Sequence, residues 1–258
     1  MLFRSILMTE LTDKQTEKYS RQIIIEKIGI SGQKKILKSS ICIVGCGGLG
    51  SSAAQYLSMA GVGNIMLIDN DLINLSNLNR QTLFFEKDIG KFKVDTLRKN
   101  LQEINPEARI KISKRKISKK NIDNYLSAYK IILDCTDNFQ SRYIINEYCF
   151  KKKKILVSAA LQNFDLQASV FSSWKRGPYP CYNCIFPKTR NNVGQSCDEL
   201  GIVSPVAGFG GVLQAMLAIK LIVSSSQKIF QELILFDTFD GNFQKIRTKK
   251  NPRCKICN

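Results

Sequence analysis

Short apolar runs alternate with longer segments of helical periodicity along most of this chain. Six runs have the length and composition of buried strands, and we predict strands at residues 40–44, 64–69, 109–112, 130–134, 155–159 and 232–237. Between and after them the pattern predicts helices at residues 49–60, 92–104 and 208–223. Because strands and helices alternate, we expect an α/β, Rossmann-like fold with a mainly parallel central sheet and flanking helices.

The N-terminal region lacks strand-like runs. Residues 9–40 show helical periodicity interrupted by short loops, with Gly29 and Gly32 as the expected breaks. No internal repeat divides the chain, and its 258 residues suffice for one substantial core. The sequence therefore predicts a single domain over residues 1–258.

The apolar runs predict neither a signal peptide nor a membrane span. The apolar part of residues 1–8 is too short for a signal peptide, and Met8 is an alternative start of translation. No run is expected to approach the roughly 18 apolar residues of a membrane span. Nine cysteines, four of them in CxxC pairs, favour a reducing compartment, so we predict a cytoplasmic protein without membrane contact.

The formal net charge of +18 raises the question of nucleic-acid binding. The basic runs at residues 111–120 and 151–154 contain no interleaved aromatic residues, which a base-stacking surface would need. We interpret these runs as solvated surface, and no nucleic-acid partner is predicted. A positive surface would still speed encounter with an acidic protein.

A glycine-rich turn follows the first predicted strand. Gly45, Gly47 and Gly50 match the pattern G-x-G-x-x-G, and Gly48 adds a fourth glycine. Without Cβ atoms, such a turn brings backbone N–H groups and a helix N-terminus close to a phosphate. Asp69 ends the second predicted strand, where a carboxylate can accept hydrogen bonds from ribose hydroxyls. Taken alone, these features also fit an NAD-dependent oxidoreductase.

Charged residues after the later strands favour a nucleoside triphosphate over a dinucleotide. Arg80 and Lys93 follow Asp69 in sequence, and Asp137 follows the strand at residues 130–134. Cations neutralise phosphate oxygens, and a carboxylate can hold the Mg²⁺ that accompanies a triphosphate. We expect these side chains to converge at one edge of the sheet.

Two CxxC pairs lie far apart in the chain. Cys181 with Cys184, and Cys254 with Cys257, have the spacing at which two thiolates bind one metal ion from a single turn. Together they predict a closed tetrahedral Zn²⁺ site, one ion per chain, with a structural role. A redox-active dithiol is the alternative for either pair alone.

Six motifs occur in order along the chain, at residues 19–23, 45–50, 76–81, 134–138, 181–184 and 251–257. In these motifs the chain resembles the bacterial E1-like adenylyltransferases, the family of ThiF, MoeB and HesA, which are relatives of the ubiquitin-activating enzymes. Lys18 stands where an arginine is more usual in that family. In detail they resemble the thiamine-pathway member, ThiF, somewhat more than the molybdopterin-pathway member, MoeB.

The resemblance implies an enzyme, a nucleotidyltransferase that uses Mg-ATP to adenylate a small β-grasp sulfur-carrier protein ending in Gly-Gly. The terminal glycine carboxylate would be adenylated, pyrophosphate released, and the carrier prepared for thiocarboxylation. A ThiS-like carrier of thiamine thiazole biosynthesis is expected, and a MoeB-type molybdopterin carrier is the alternative. A cysteine desulfurase or a rhodanese-type protein would donate the sulfur.

The resemblance also implies a role for each nucleotide motif. Asp69 would bind the ribose, while Asp137 would bind Mg²⁺ with Asn138 beside it. Asn77, Arg80 and Lys93 would contact the phosphates. The other residues of the motif at residues 76–81 that would belong to the nucleotide site are Ser76, Leu78 and Asn79.

Two further residues are matched to steps that involve a second molecule. Arg21 would reach the nucleotide of the other subunit, which implies a homodimer. Cys197 matches a loop cysteine that forms a covalent link with the carrier in some relatives, and an unreactive loop cysteine is its alternative.

The same resemblance suggests how the single domain is divided. A helical segment would span residues 1–38, the nucleotide-binding half residues 39–160, and the carrier-binding and zinc half residues 161–258. A non-catalytic E1-like subunit that only binds a partner remains an alternative of another class.

Overall fold

The computed structural model describes residues 10–188 and 201–258. Within these residues the chain forms eight strands: β1 (Ser40–Val44), β2 (Asn64–Ile68), β3 (Arg109–Ser113), β4 (Ile131–Asp134), β5 (Ile155–Gln162), β6 (Asp165–Phe171), β7 (Glu232–Asp237) and β8 (Asn242–Arg247). The same residues form nine α-helices: α1 (Asp13–Lys18), α2 (Ser20–Ile23), α3 (Gly29–Lys38), α4 (Gly48–Met59), α5 (Lys93–Ile104), α6 (Ile122–Leu126), α7 (Phe139–Lys151), α8 (Tyr182–Ile185) and α9 (Ser204–Val223).

One sheet contains all the described strands, in the order β3-β2-β1-β4-β5-β6-β7-β8. The pairs among the first five are parallel, which confirms the predicted fold class. Strands β6, β7 and β8 extend the sheet by antiparallel pairing. The apolar pattern predicted neither β6 nor β8. Strand β8 is exposed at every residue, so it has no apolar run to mark it.

Side chains on the two faces of the sheet pack into two separate cores. In β1, Ile41 and Ile43 belong to the core that includes α4, α5 and α9. Cys42 and Val44 of the same strand belong to the opposite core, with α6 and α7. A parallel strand covered on both faces is apolar at nearly every position, which explains why β1 was visible in the sequence.

Helix α9 is the long apolar helix of the described chain. By length and composition alone it is apolar enough to cross a membrane, with a mean hydropathy of 1.9 over an 18-residue window. The expectation that no run reaches this level was therefore wrong. In the fold α9 packs against α4, β5 and β6. A Cβ atom at Gly211 would lie 2.3 Å from the Leu49 carbonyl oxygen, so this glycine allows close approach of α9 to α4.

Gly32 does not break the N-terminal helical region as expected. Helix α3 begins at Gly29, which has φ of +57°, and continues through Gly32. A Cβ atom at Gly32 would lie 3.4 Å from Val223 Cγ1, so the glycine provides room for the end of α9. Its role is in helix packing.

The strand order reverses direction between β1 and β4. From β1 the chain moves outward through β2 to β3, and then returns to the other side of β1 to form β4. Loops that follow β1 and β4 therefore diverge and leave a crevice at the carboxyl ends of the strands. In open α/β sheets this is where ligands bind.

Candidate functional site

A cavity of about 630 Å³ occupies this crevice. Its volume lies within the usual range for small-molecule sites, about 300–1,000 Å³. The predicted nucleotide residues that line it are Gly45, Gly47, Gly48, Asp69, Ser76, Asn77, Arg80, Lys93, Asp137 and Asn138. Three other predicted residues, Gly50, Leu78 and Asn79, are not in its lining. The expected convergence at one sheet edge is thus observed for most of the set.

The glycines of the turn after β1 serve different purposes. Gly45 has φ of +92°, and a Cβ atom there would lie 2.5 Å from the Cys135 carbonyl oxygen. A Cβ atom at Gly50 would collide with the carbonyl of Gly45, so both glycines are needed by the chain itself. At Gly47 the nearest neighbour of such an atom would be Gln81 Nε2 at 3.6 Å. Gly47 therefore leaves space that opens into the cavity.

Asp69 is held at the cavity wall by backbone donors. Its Oδ2 accepts a hydrogen bond from the Cys46 N–H at 2.7 Å, and its Oδ1 accepts one from the Asp71 N–H at 2.8 Å. Burial raises the pKa of Asp69, and the nearby charge of Lys93 opposes that rise. The carboxylate is thus anchored beside the glycine turn, which is the geometry that a ribose-binding acid needs.

Lys93 is a buried cation at the start of α5. Its side chain is 8% exposed, and its Nζ lies 3.0 Å from Oδ2 of Asp71. The backbone N–H of Lys93 also donates to the Asp71 carbonyl. Asp71 was not among the predicted site residues, and its pairing with Lys93 joins residues 22 positions apart.

Arg80 lies in the loop between β2 and α5. Its Nη1 donates to the Ser76 carbonyl at 2.9 Å and to Asn79 Oδ1 at 3.2 Å. Asn77 stabilises the same loop, because its Oδ1 accepts a hydrogen bond from the Asn74 N–H. The motif at residues 76–81 is therefore partly a scaffold that presents Arg80 to the cavity.

Asp137 follows β4 in an exposed turn that faces the cavity. Asn138 Nδ2 donates to Asp137 Oδ1, and Asn138 Oδ1 caps α7 by accepting from the Ser141 N–H. Behind the turn, Asp134 is fully buried, and burial raises its pKa while Arg142 opposes the rise. Arg142 lines the cavity too, and motif reasoning did not include it.

The two CxxC pairs form one cluster. The Sγ atoms of Cys181, Cys184, Cys254 and Cys257 all lie within 4.8 Å of one another. Four sulfurs bound at about 2.3 Å to one tetrahedral ion would be ~3.8 Å apart, so the cluster fits Zn²⁺. Neighbouring sulfurs are 3.4–3.8 Å apart in three pairs. The cluster joins α8 to the C-terminal segment, as predicted from the spacing.

The structure describes one of the two residues that were matched to steps with a second molecule. Arg21 lies on α2, is exposed, and does not line the cavity of its own chain. Cys197 lies outside the residues that the structure describes.

Comparison with known proteins places this fold in a family. The sequence pattern of the ThiF family matches residues 19–256. The chain belongs to the ThiF family. The resemblance noted in the motifs is thereby confirmed over nearly the full length of the chain.

Curated relatives of this ThiF-family chain include longer proteins. "Adenylyltransferase and sulfurtransferase MOCS3" of Drosophila willistoni is 38% identical over 254 residues, which make up 97% of this chain and 55% of the relative. The protein of the same name from Culex quinquefasciatus is 35% identical over 257 residues, which make up 99% and 58%. The ThiF-family chain thus spans little more than half the length of these relatives.

Solved structures show the same fold as the ThiF-family chain. E. coli MccB, crystallised with ATP, superposes with a TM-score of 0.80 at 24% identity, over 93% of this chain and 74% of that one. PaaA superposes with a TM-score of 0.76 at 19% identity, over 97% and 79%.

Proposed function

We propose that this chain adenylates the C-terminal carboxylate of a small β-grasp sulfur-carrier protein ending in Gly-Gly, with ATP as the second substrate. The observation that carries the proposal is the meeting of the glycine turn, Asp69, Lys93, Arg80 and Asp137 in one cavity. These groups match a ribose, a triphosphate chain and a divalent cation. Relatives that are named adenylyltransferases support the same activity.

The reaction needs charge neutralisation more than proton transfer. A carboxylate oxygen of the carrier would form a bond to the α-phosphorus of ATP, and the bond from that phosphorus to the bridging oxygen would break. The products are an acyl-adenylate and pyrophosphate. Because the attacking carboxylate is already ionised, no general base is required, and the chain indeed contains no histidine.

Each side chain would then have a distinct task. Asp69 would accept hydrogen bonds from the ribose hydroxyls, and Lys93 and Arg80 would bind phosphate oxygens. Phosphates would approach the backbone at Gly47, where the chain leaves open space. Cations placed where negative charge develops are the groups that lower the barrier most in such transfers.

Asp137 is the proposed ligand for Mg²⁺. Hard oxygen ligands suit this ion, and the exposed Asp137 carboxylate faces the cavity with Asn138 beside it. When bound, Mg²⁺ supplies positive charge to the phosphate oxygens. The chain's own contribution is to hold the carboxylate at the cavity wall.

The four-cysteine cluster is proposed to hold one structural Zn²⁺. All four positions are occupied by protein sulfurs, so a closed site leaves no place for a substrate or an activated water. Its binding energy would contribute to folding, by joining the segment after β6 to the C-terminus.

Five phenylalanines, four of them more than a third exposed, lie at the same sheet edge as the cavity. Their rings pair as Phe164 with Phe239 at 5.0 Å, Phe209 with Phe236 at 5.3 Å, and Phe236 with Phe243 at 5.8 Å. We call these five residues the phenylalanine cluster. Phe239 is 74% exposed, and exposed apolar patches commonly mark protein contacts.

The position of the phenylalanine cluster fits the carrier protein. Phe164 follows Leu161 by three residues, and Leu161 lines the cavity. A carrier docked on these rings would therefore have its C-terminal tail next to the nucleotide. We propose that the phenylalanine cluster binds the folded body of the carrier protein.

A homodimer is proposed because Arg21 does not line its own cavity. Ile24, Ile25 and Ile30, near Arg21 in sequence, are 73%, 48% and 56% exposed. Met216 on α9 is 63% exposed, and α9 packs against α3. These apolar side chains are available to a second copy of the chain, whose cavity Arg21 would then complete.

The proposal also includes the kind of carrier protein that this chain would adenylate. A ThiS-like carrier is proposed from the motif details, and a molybdopterin-type carrier is the alternative. The curated relatives are named as sulfurtransferases as well as adenylyltransferases, which supports a sulfur carrier of either kind. Cys197 remains proposed as the residue that links covalently to the activated carrier, with sulfur supplied by a desulfurase or rhodanese-type protein.

The decisive experiment is exchange of radiolabelled pyrophosphate into ATP, measured with each candidate carrier separately. We expect exchange that depends on a carrier with an intact Gly-Gly terminus, and none with a carrier lacking the last glycine. Binding of carrier without exchange would instead identify a non-catalytic subunit. Tight binding of NAD with indifference to ATP would identify an oxidoreductase.

A further inference from the structure

Arg142 is a buried cation that contacts the turn carrying Asp137. The residue is 3% exposed and lies in the first turns of α7. Its Nη2 and Nε donate to the Thr136 carbonyl oxygen at 2.7 and 3.2 Å. Two donors of one rigid guanidinium thus fix the direction of a single carbonyl group.

That carbonyl belongs to the peptide plane immediately before Asp137. Because the peptide unit is planar, fixing the Thr136 carbonyl also fixes the N–H of Asp137 and the direction in which its Cα leaves. From the other side, Asp134 Oδ1 accepts hydrogen bonds from the Thr136 N–H at 3.1 Å and from Thr136 Oγ1 at 2.7 Å. Thr136 is therefore held between the buried side chains of Asp134 and Arg142.

Helix α7, which carries Arg142, also contacts the helix that carries the first CxxC pair. Tyr182 lies between Cys181 and Cys184. Asn146 stands one helical turn after Arg142 on α7, and its Oδ1 accepts a hydrogen bond from the Tyr182 N–H at 2.9 Å. Asn146 thus ties the helix that carries Arg142 to the residue between the two cysteines.

A short path of contacts therefore runs from the cysteine cluster to the cavity. It passes from Cys181 to Tyr182, from the Tyr182 N–H to Asn146 on α7, and along α7 to Arg142, which donates to the Thr136 carbonyl beside Asp137. Tyr182 is packed against the rings of Tyr143 and Phe171, so its position is well determined.

We propose that Arg142 is a positioning residue, which holds the Asp137 turn in the geometry that binds Mg²⁺ with ATP. The inference rests on the proposed nucleotide function. In proteins, residues that orient a metal ligand typically change metal affinity or activity by about 10- to 100-fold when they are replaced.

The test measures ATP affinity by calorimetry, once with saturating Mg²⁺ and once with EDTA. The variants are Arg142→Met and Arg142→Lys, with Asp137→Asn as the reference. Lys151→Met is the matched control, because Lys151 is on the same helix with a side chain that is 66% exposed. Zinc content and melting temperature are recorded for every protein.

For Arg142→Met we expect the Mg²⁺-dependent gain in ATP affinity to fall by about 10- to 100-fold, as in Asp137→Asn, with the affinity in EDTA unchanged. Lys151→Met should behave as the wild type.

Equal losses with and without Mg²⁺ would overturn the proposal, because they would mean that Arg142 contacts the nucleotide itself. A folded Arg142→Met with the wild-type response to Mg²⁺ would overturn it too. If Arg142→Met does not fold, Arg142→Lys decides, since it keeps the charge but not the paired donors. Absence of ATP binding by the wild type would instead refute the proposed function.

Discussion

Nζ of Lys93 and Oδ2 of Asp71 are 3.0 Å apart at the edge of the cavity. The lysine side chain is buried while that of the aspartate is 55% exposed, so solvent reaches the ion pair from the side of Asp71. A triphosphate entering the cavity would offer stronger acceptors to the same ammonium group. The pair therefore keeps a buried cation compensated at the place where phosphates are proposed to bind.

Replacing Lys93 tests this assignment. Lys93→Met keeps most of the buried stem and removes the charge, so we expect carrier-dependent pyrophosphate exchange to slow by about 10²–10³, the usual loss for one transition-state donor. Arg80→Ala should cause a loss of similar size. Lys99→Met, an exposed residue of the same helix, is the control. Near-normal exchange in both site variants, with the fold intact, would show that the triphosphate lies elsewhere.

The glycine turn yields a second prediction, which separates folding from binding. Gly50→Ala should fail to fold or melt far below the wild type, because its methyl group collides with the Gly45 carbonyl. Gly47→Ala should melt close to the wild type, since the nearest atom to its methyl group is 3.6 Å away. It should nevertheless lose ATP binding, because the methyl group occupies space proposed for phosphate.

Thermal melting and ATP calorimetry on the two glycine variants provide the comparison. Undiminished ATP affinity in Gly47→Ala would contradict the proposed path of the phosphates.

How far the sequence predicts this site depends on the range of the contacts involved. The turn between β1 and α4 and the acid after β2 are local features, so spacing alone was enough to find Gly45 and Asp69. The partner of Lys93 and the support of Asp137 were not found. Asp71 and Arg142 act through contacts that only the folded chain creates, and each taken singly looks like an ordinary charged residue.

The same distinction holds for the fold. Buried parallel strands appear in the sequence as apolar runs, and β1 was predicted with the observed bounds. The antiparallel strand β7 also has an apolar run and was predicted with the observed bounds. Strand β8 is stabilised by pairing with β7 while all its side chains stay exposed, so its sequence carries no such signal. The phenylalanine cluster escaped prediction for a related reason, because its members come from separate turns, strands and α9.

The cysteine cluster gives a third prediction. Cys254→Ser opens a closed four-sulfur site, so the protein should lose most of its zinc and melt at a lower temperature. For a chain of this size, each kcal/mol of stability lost lowers the melting temperature by about 2–4 °C. Cys149→Ala is the control, because Cys149 is buried outside the cluster. The Cys149→Ala protein should retain one zinc ion per chain. Plasma mass spectrometry and calorimetry provide the readouts, and a fully loaded, equally stable Cys254→Ser would refute the zinc site.

The phenylalanine cluster gives the fourth prediction. Phe243→Asp places a charge on the proposed docking surface, so carrier binding should weaken at least tenfold, in keeping with the cost of truncating a central interface residue, about 1–2 kcal/mol or more. ATP affinity should not change, because Phe243 does not line the cavity.

Phe85→Asp is the matched control for that measurement. Phe85 is 53% exposed and lies outside the phenylalanine cluster. Surface plasmon resonance with the carrier should show a loss only for Phe243→Asp. An equal loss of binding in both variants, or no loss in either, would contradict the assignment of the phenylalanine cluster to the carrier interface.

Helix α9 connects two parts of the molecule that were described separately. Near its start, Ala207 approaches Gly48 of the glycine turn, and at its end Val223 approaches Gly32 of α3. Twenty helical residues make a rod of about 30 Å. The glycine turn at the cavity and the helical region that carries Arg21 therefore pack against opposite ends of one rigid helix. A shift of α9 along its axis would change the packing at Gly48 and at Gly32 together.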